Sequence, residues 1–123
     1  MNLVDSSAWI EYFAEGPNAE YFAPVIENTA ELVVPSISLF EVFKRILQQR
    51  SETDALRAVT VMMQCQIIDL DASLALSAAR TSVNEKLAMA DSIILITARS
   101  MHATIWTQDA DFKDIPDVQY KAR

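Results

Sequence analysis

Four acidic residues stand in comparable places in four separate segments of this 123-residue chain. Asp5 follows the apolar run NLV and opens SSAWIEYF. Glu41 falls in the first turn expected for a helix after ELVVPSIS. Asp91 sits near the start of the largely apolar stretch KLAMADSIILITARS, and Asp109 follows TIWT. Each has a local explanation. Asp5 reads as a helix N-cap, Glu41 as the fourth residue of a capping box with Ser38, and Asp91 as a charge that complements a helix dipole. Asp109 and Asp111, in WTQDADF, read as turn formers that end a strand. Capping does not require an acid to be set among apolar residues, however, as Asp5 and Asp91 are. Four carboxylates converging on one cavity repel one another, so they stay ionised only around a cation and otherwise remain partly protonated. An all-oxygen, anionic donor set without histidine or thiolate selects a hard cation, Mg²⁺ or Mn²⁺. Such an ion activates water and offsets charge on a phosphoryl group, which points to phosphodiester hydrolysis.

The elements that must bring these acids together are legible as an alternation. The runs at 2–4, 31–34, 66–70 and 104–106 have strand length and β-branched content. Between them, Leu39, Val42, Phe43, Ile46 and Leu47 follow helical spacing over 38–48, and 53–63, 72–83 and the stretch from Ala90 to Met101 read as further helices. Strands separated by helices imply a parallel sheet covered on both faces, an α/β domain. Open parallel sheets bind ligands outside the carboxyl ends of their strands, where Asp5 and Asp109 fall. Two other acids read differently: Asp71 as the N-cap of the 72–83 helix and Asp69 as the exposed side of an alternating edge.

Composition narrows the chemistry. The length suits one domain spanning 1–123, and 51% hydrophobic content excludes disorder. No apolar run approaches a membrane span, and MNLVDSS carries neither a basic leader nor an apolar signal core, so a cytoplasmic protein is expected. The single cysteine, Cys65 in VMMQCQII, reads as a buried thiol. The lone His102 reads as a helix C-terminal residue, and one imidazole cannot build a multi-histidine zinc site. With Gly16 as the one glycine, neither a P-loop nor a dinucleotide fingerprint is possible. A net charge of −7 rules out nonspecific polycation binding to nucleic acid. A phospho-accepting receiver domain wants a lysine on its last strand, which TIWTQD lacks. A dehalogenase-type phosphatase wants D-x-D where this chain has DSS.

The stretches LVDSSAWIEYF, SLFEVFKRIL, ADSIILITAR and WTQDADF, in that order, resemble the four signatures of PIN-domain ribonucleases, and the small size is most similar to the VapC-type toxins of toxin–antitoxin pairs. The resemblance implies a single PIN-like domain with a central parallel sheet between helices and Mg²⁺-dependent endoribonuclease activity on RNA. It also implies inhibition by a cognate antitoxin protein, and a homodimer is expected. Position by position, Asp5, Glu41, Asp91 and Asp109 match the acidic quartet that would hold the metal. Thr107 matches its supporting hydroxyl, Asp111 matches the more variable acid of the last motif, and Ser6 is placed as a further support. Many relatives carry glycine before the last strand, where this chain has HAT. An antitoxin tail is expected to lay apolar side chains in a groove near the carboxylates, with Trp9, Phe13 and Phe40 as candidate lining. The competing reading is a catalytically silent PIN-like interaction module whose acids form an anionic socket for a basic partner.

Overall fold

In the computed structural model, which describes all 123 residues, five short strands and six helices alternate. They run β1 (Asn2–Val4), α1 (Ser6–Phe13), α2 (Ala19–Ile26), β2 (Leu32–Pro35), α3 (Ser36–Gln49), α4 (Glu52–Met62), β3 (Gln66–Ile68), α5 (Ala72–Glu85), α6 (Met89–Ser100), β4 (Thr104–Thr107) and β5 (Val118–Tyr120). The sheet order is β3-β2-β1-β4-β5, and every pairing is parallel. The chain winds outward from β1 to β3, then crosses back to place β4 on the other side of β1. That reversal leaves a crevice at the carboxyl ends of β1 and β4, the usual ligand position in such sheets.

The pleat explains why the strands read as continuous apolar runs. Val4, Leu32 and Val34 face one core with Ala8, Trp9, Phe22, Ile26, Val42, Ile46, Ala55 and Met62, which α1 to α4 supply. Leu3, Val33 and Ile105 face the other, with Ile94, Leu95 and Ala98 of α6 and Phe112. A sheet buried on both faces needs apolar residues at every position, and β2 is buried throughout. Cys65 lies in the first core, where burial raises its thiol pKa. No helix is long and apolar enough to cross a membrane.

Several local expectations differ from the structure. Helix α2 contains Pro24, a residue that argues against helix by removing an N–H. Phe22 and Ile26, one turn apart and buried, hold it against the core all the same. Strand β5 has three residues at a sheet edge, too few to show a period. The 66–70 strand stops at Ile68, leaving Asp69 and Leu70 exposed. Asp71 caps α5, accepting the Leu74 N–H at 2.8 Å. His102 lies beyond the end of α6 and adopts φ 51°, a left-handed conformation that costs a β-carbon-bearing residue about 1–2 kcal/mol.

Candidate metal centre

Asp5 leaves β1 at the crevice, its N–H still bonded to the Trp106 carbonyl at 3.1 Å. It caps α1 through Oδ1, which accepts the Ala8 N–H at 3.0 Å and the Ser7 hydroxyl at 2.8 Å. Its Oδ2 accepts the Thr107 hydroxyl at 2.7 Å. The capping role and a place in the site are therefore compatible. Oδ1 has both lone pairs engaged, and Oδ2 keeps one free. Burial pushes the Asp5 carboxyl up to about 6 against the pull of these hydrogen bonds, and Asp109 adds repulsion.

Thr107, fully buried at the end of β4, is a two-way link. Its Oγ1 donates to Asp5 and accepts the Asp109 N–H at 2.9 Å, while Asp109 Oδ1 accepts the Asp111 N–H at 2.9 Å. One hydrogen-bonded chain thus fixes three acids from the ends of two adjacent strands.

The helices supply the rest. Pro35 occupies the N-cap of α3, which starts at Ser36 and not at 38. Glu41 consequently lies in the second turn, and the expected capping box with Ser38 does not form. The Ser38 hydroxyl is buried without a partner, and Glu41 Oε1 instead accepts the Ser6 hydroxyl at 2.6 Å. Asp91 is the third residue of α6. Its carboxyl is pushed up to about 7, first by burial and then by Asp109, Asp111, Asp5 and Glu41, with no hydrogen bond to offset the crowding.

These side chains meet in one open cavity of about 530 Å³ whose walls include Asp5, Glu41, Asp91 and Asp109. The tightest grouping is Asp91, Asp109 and Asp111, with one carboxylate oxygen from each lying within 4.8 Å of the others. Oxygens around one Mg²⁺ lie at most about 4.2 Å apart, twice a bond of roughly 2.1 Å, so a small rotation brings the trio into range. Asp111, exposed and assigned a secondary place from sequence, belongs to that trio. Asp5 and Glu41 stand outside it on the same cavity, each with an oxygen turned to a hydroxyl donor. The donor chemistry, all carboxylate oxygen, fits a hard divalent cation.

Trp9, expected near a groove, is fully buried in the core, and Phe13 packs against that core away from the acids. Phe40 alone of the three reaches the acid cavity. The sequence reading missed Glu11, which lines the cavity and accepts the Asn18 N–H at 2.8 Å, and the cations Lys44 and Arg45. Their signal was helical spacing: Glu11 falls four residues after Ser7, and Lys44 and Arg45 fall three and four after Glu41.

The family model for the PIN domain matches residues 3–118, nearly the whole chain. The chain belongs to the PIN-domain family. Solved PIN-domain structures share its fold over almost their full length. A toxin–antitoxin complex from Klebsiella pneumoniae superposes with a TM-score of 0.82 at 22% identity, covering 97% of this chain and 96% of that one. The Mycobacterium tuberculosis toxin VapC20, which cleaves the sarcin-ricin loop, gives 0.80 at 14% identity over 94% and 95%. A DNA-bound VapBC from Salmonella typhimurium gives 0.73 at 17% identity over 99% and 98%. Among curated protein sequences none matches.

Proposed function

We propose that this PIN domain is a metal-dependent endoribonuclease, the toxin of a toxin–antitoxin pair, hydrolysing RNA phosphodiester bonds in the cytoplasm. One observation carries the reading: carboxylates from four separate segments crowd one open cavity, where burial and then the neighbouring acids lift Asp91 to about 7. Such a cluster is costly unless a cation neutralises it. Family membership supports the ribonuclease chemistry, and the toxin–antitoxin complexes among the solved neighbours support the biological role. Asp91, Asp109 and Asp111 would hold Mg²⁺, or Mn²⁺, with Asp5 Oδ2 and the free oxygen of Glu41 within the same cavity. A divalent ion there would polarise a phosphoryl oxygen and lower the pKa of an attacking water.

The chain's own residues hold the geometry. Thr107 keeps Asp5 and Asp109 at fixed separation, and Ser6 ties Glu41 to α1. The net charge of −7 around this cavity favours a basic antitoxin segment as the inhibitor. Exposed Leu76, Val83 and Met89, on α5 and at the start of α6, offer apolar surface for a homodimer.

Single-stranded RNA incubated with wild type and Asp91→Asn, each with Mg²⁺ or EDTA, tests the proposal. Cleavage by wild type with Mg²⁺, lowered about 10³-fold in the variant, is expected. Equal Mg²⁺-dependent cleavage by the folded variant would overturn the assignment. No cleavage of any RNA by wild type would favour the silent module with an anionic socket.

A further inference from the structure

The acids do not line the cavity alone. Helix α3 carries Glu41, Lys44, Arg45 and Gln48 into it at spacings of three, four and seven residues, one face of the helix across two turns, with Phe40 beside them. That face passes within about 5 Å of rise from a carboxylate to two cations. Nine of the ten Lys and Arg have no acidic partner within 4.0 Å, and of these Lys44, Arg45 and Arg123 line the acid cavity. The ion pairs within 4.0 Å are Arg99 with Glu85 and the N-terminus with Glu31, which leaves Lys44 and Arg45 unpaired and exposed. Phe40 is the one exposed aromatic side chain, 60% accessible, and contributes to neither core. Its ring is held by Lys44, whose Nζ lies 5.6 Å from the centroid.

An exposed ring flanked by unpaired cations is how proteins hold single-stranded nucleic acid: bases stack on the aromatic face and cations take phosphates. We infer that Phe40, Lys44 and Arg45 form a substrate platform on α3, where Phe40 stacks an unpaired base next to the scissile phosphate and the two cations bind the neighbouring phosphates. The inference rests on the ribonuclease reading and assigns three substrate-binding residues to it. The base must leave a helix to stack, so the target is a single strand or loop and not a continuous duplex. It also explains how an acidic protein holds a polyanion: attraction is confined to one face, while the carboxylates repel RNA that arrives elsewhere.

Two measurements test it. In the Asp91→Asn background with Mg²⁺, binding of a fluorescent single-stranded oligoribonucleotide is titrated against salt. Phe40→Ala should weaken it roughly tenfold and Phe40→Trp should restore it. Lys44→Ala with Arg45→Ala should lower the salt slope by about 1.4, two phosphates at roughly 0.7 each. In steady-state cleavage, Phe40→Ala should act mainly by raising KM, and a fully paired duplex should be a poor substrate. Because Phe40 is exposed and outside the cores, its variants keep the wild-type melting curve. Wild-type cleavage with KM and salt slope unchanged in these variants overturns the platform and leaves the ribonuclease reading standing. Phe40-dependent binding without cleavage by wild type supports the platform and sinks the ribonuclease reading. RNA binding indifferent to Phe40, with a basic peptide lost on Phe40→Ala, makes this face a protein-docking site and overturns the platform.

Discussion

The two walls of the cavity hold their carboxylates in opposite ways. On the strand-end wall Asp5, Thr107, Asp109 and Asp111 form one hydrogen-bonded chain, in which each backbone or hydroxyl donor has a carboxylate or hydroxyl acceptor. On the helical wall Asp91 has no such partner and is governed by burial and then by the acids around it. Both Asp5 and Asp91 are raised well above the usual carboxylate range, the first by burial despite its hydrogen bonds and the second by burial and then by its acidic neighbours. The strand-end wall is a scaffold that also carries acids, whereas Asp91 is a carboxyl whose ionisation no hydrogen bond offsets.

Opposite effects on stability would sharpen that contrast most. At about pH 5.5 without metal, Asp5→Ala strips the Ala8 N–H and the buried Thr107 hydroxyl of their acceptor and should cost about 2 kcal/mol by denaturant unfolding. Asp91→Ala should be near neutral there, and at about pH 7.5 it should melt above wild type because it removes repulsion. Equal losses from both substitutions would mean that the walls do not differ.

The pH dependence of the wild type follows from the same two groups. Their folded values, about 6 and about 7, lie above the ordinary aspartate value of 3.8, so the folded chain retains protons that the unfolded chain has released. The stabilisation is complete below the unfolded value and is lost as pH rises through the folded ones, a window from about 4 to about 7. The metal-free protein should therefore melt several degrees higher at about pH 5.5 than at about pH 7.5, and saturating Mg²⁺ should reverse the order. Coincident melting curves at both pH values would show that the acids do not interact.

Smaller effects separate the link from the charges. Thr107→Val preserves strand preference and shape but removes the donor to Asp5 and the acceptor for Asp109 N–H, a loss of about 1–2 kcal/mol with weakened cleavage. Wild-type stability and activity in that variant would dismiss Thr107 as a link. His102→Gly lies on neither wall. It should add about 1 kcal/mol by relieving the left-handed φ of 51°, leaving Mg²⁺ affinity unchanged, and a loss of stability would show that the imidazole has a packing role.

The alternation of strands and helices, and the positions of Asp5, Asp91 and Asp109 at strand or helix ends, were legible because a doubly covered parallel sheet imprints continuous apolar runs and ends them abruptly. Less legible was anything set by tertiary packing. Pro24 hid α2, since its cost is local and the burial of Phe22 and Ile26 that overrides it is not. The S-x-x-E pattern at Ser38 suggested a cap, but Pro35 started the helix two residues earlier and turned Glu41 toward Ser6. Asp111 looked peripheral because its approach to Asp91 joins residues twenty apart in the chain. Lys44 and Arg45 have the sequence of an ordinary solvated helix face, and only the fold shows that they line the acid cavity beside Phe40.

The central claim is that these carboxylates are a divalent-metal site. Titration of Mg²⁺ into metal-free wild type and Asp91→Asn at about pH 7.5, read by calorimetry and by melting temperature, tests it most directly. The account predicts saturable binding and a melting temperature that rises with the logarithm of Mg²⁺ concentration for wild type, and neither for the variant. A wild-type melting temperature that stays flat up to ~10 mM Mg²⁺, or one that rises equally in Asp91→Asn, would contradict it.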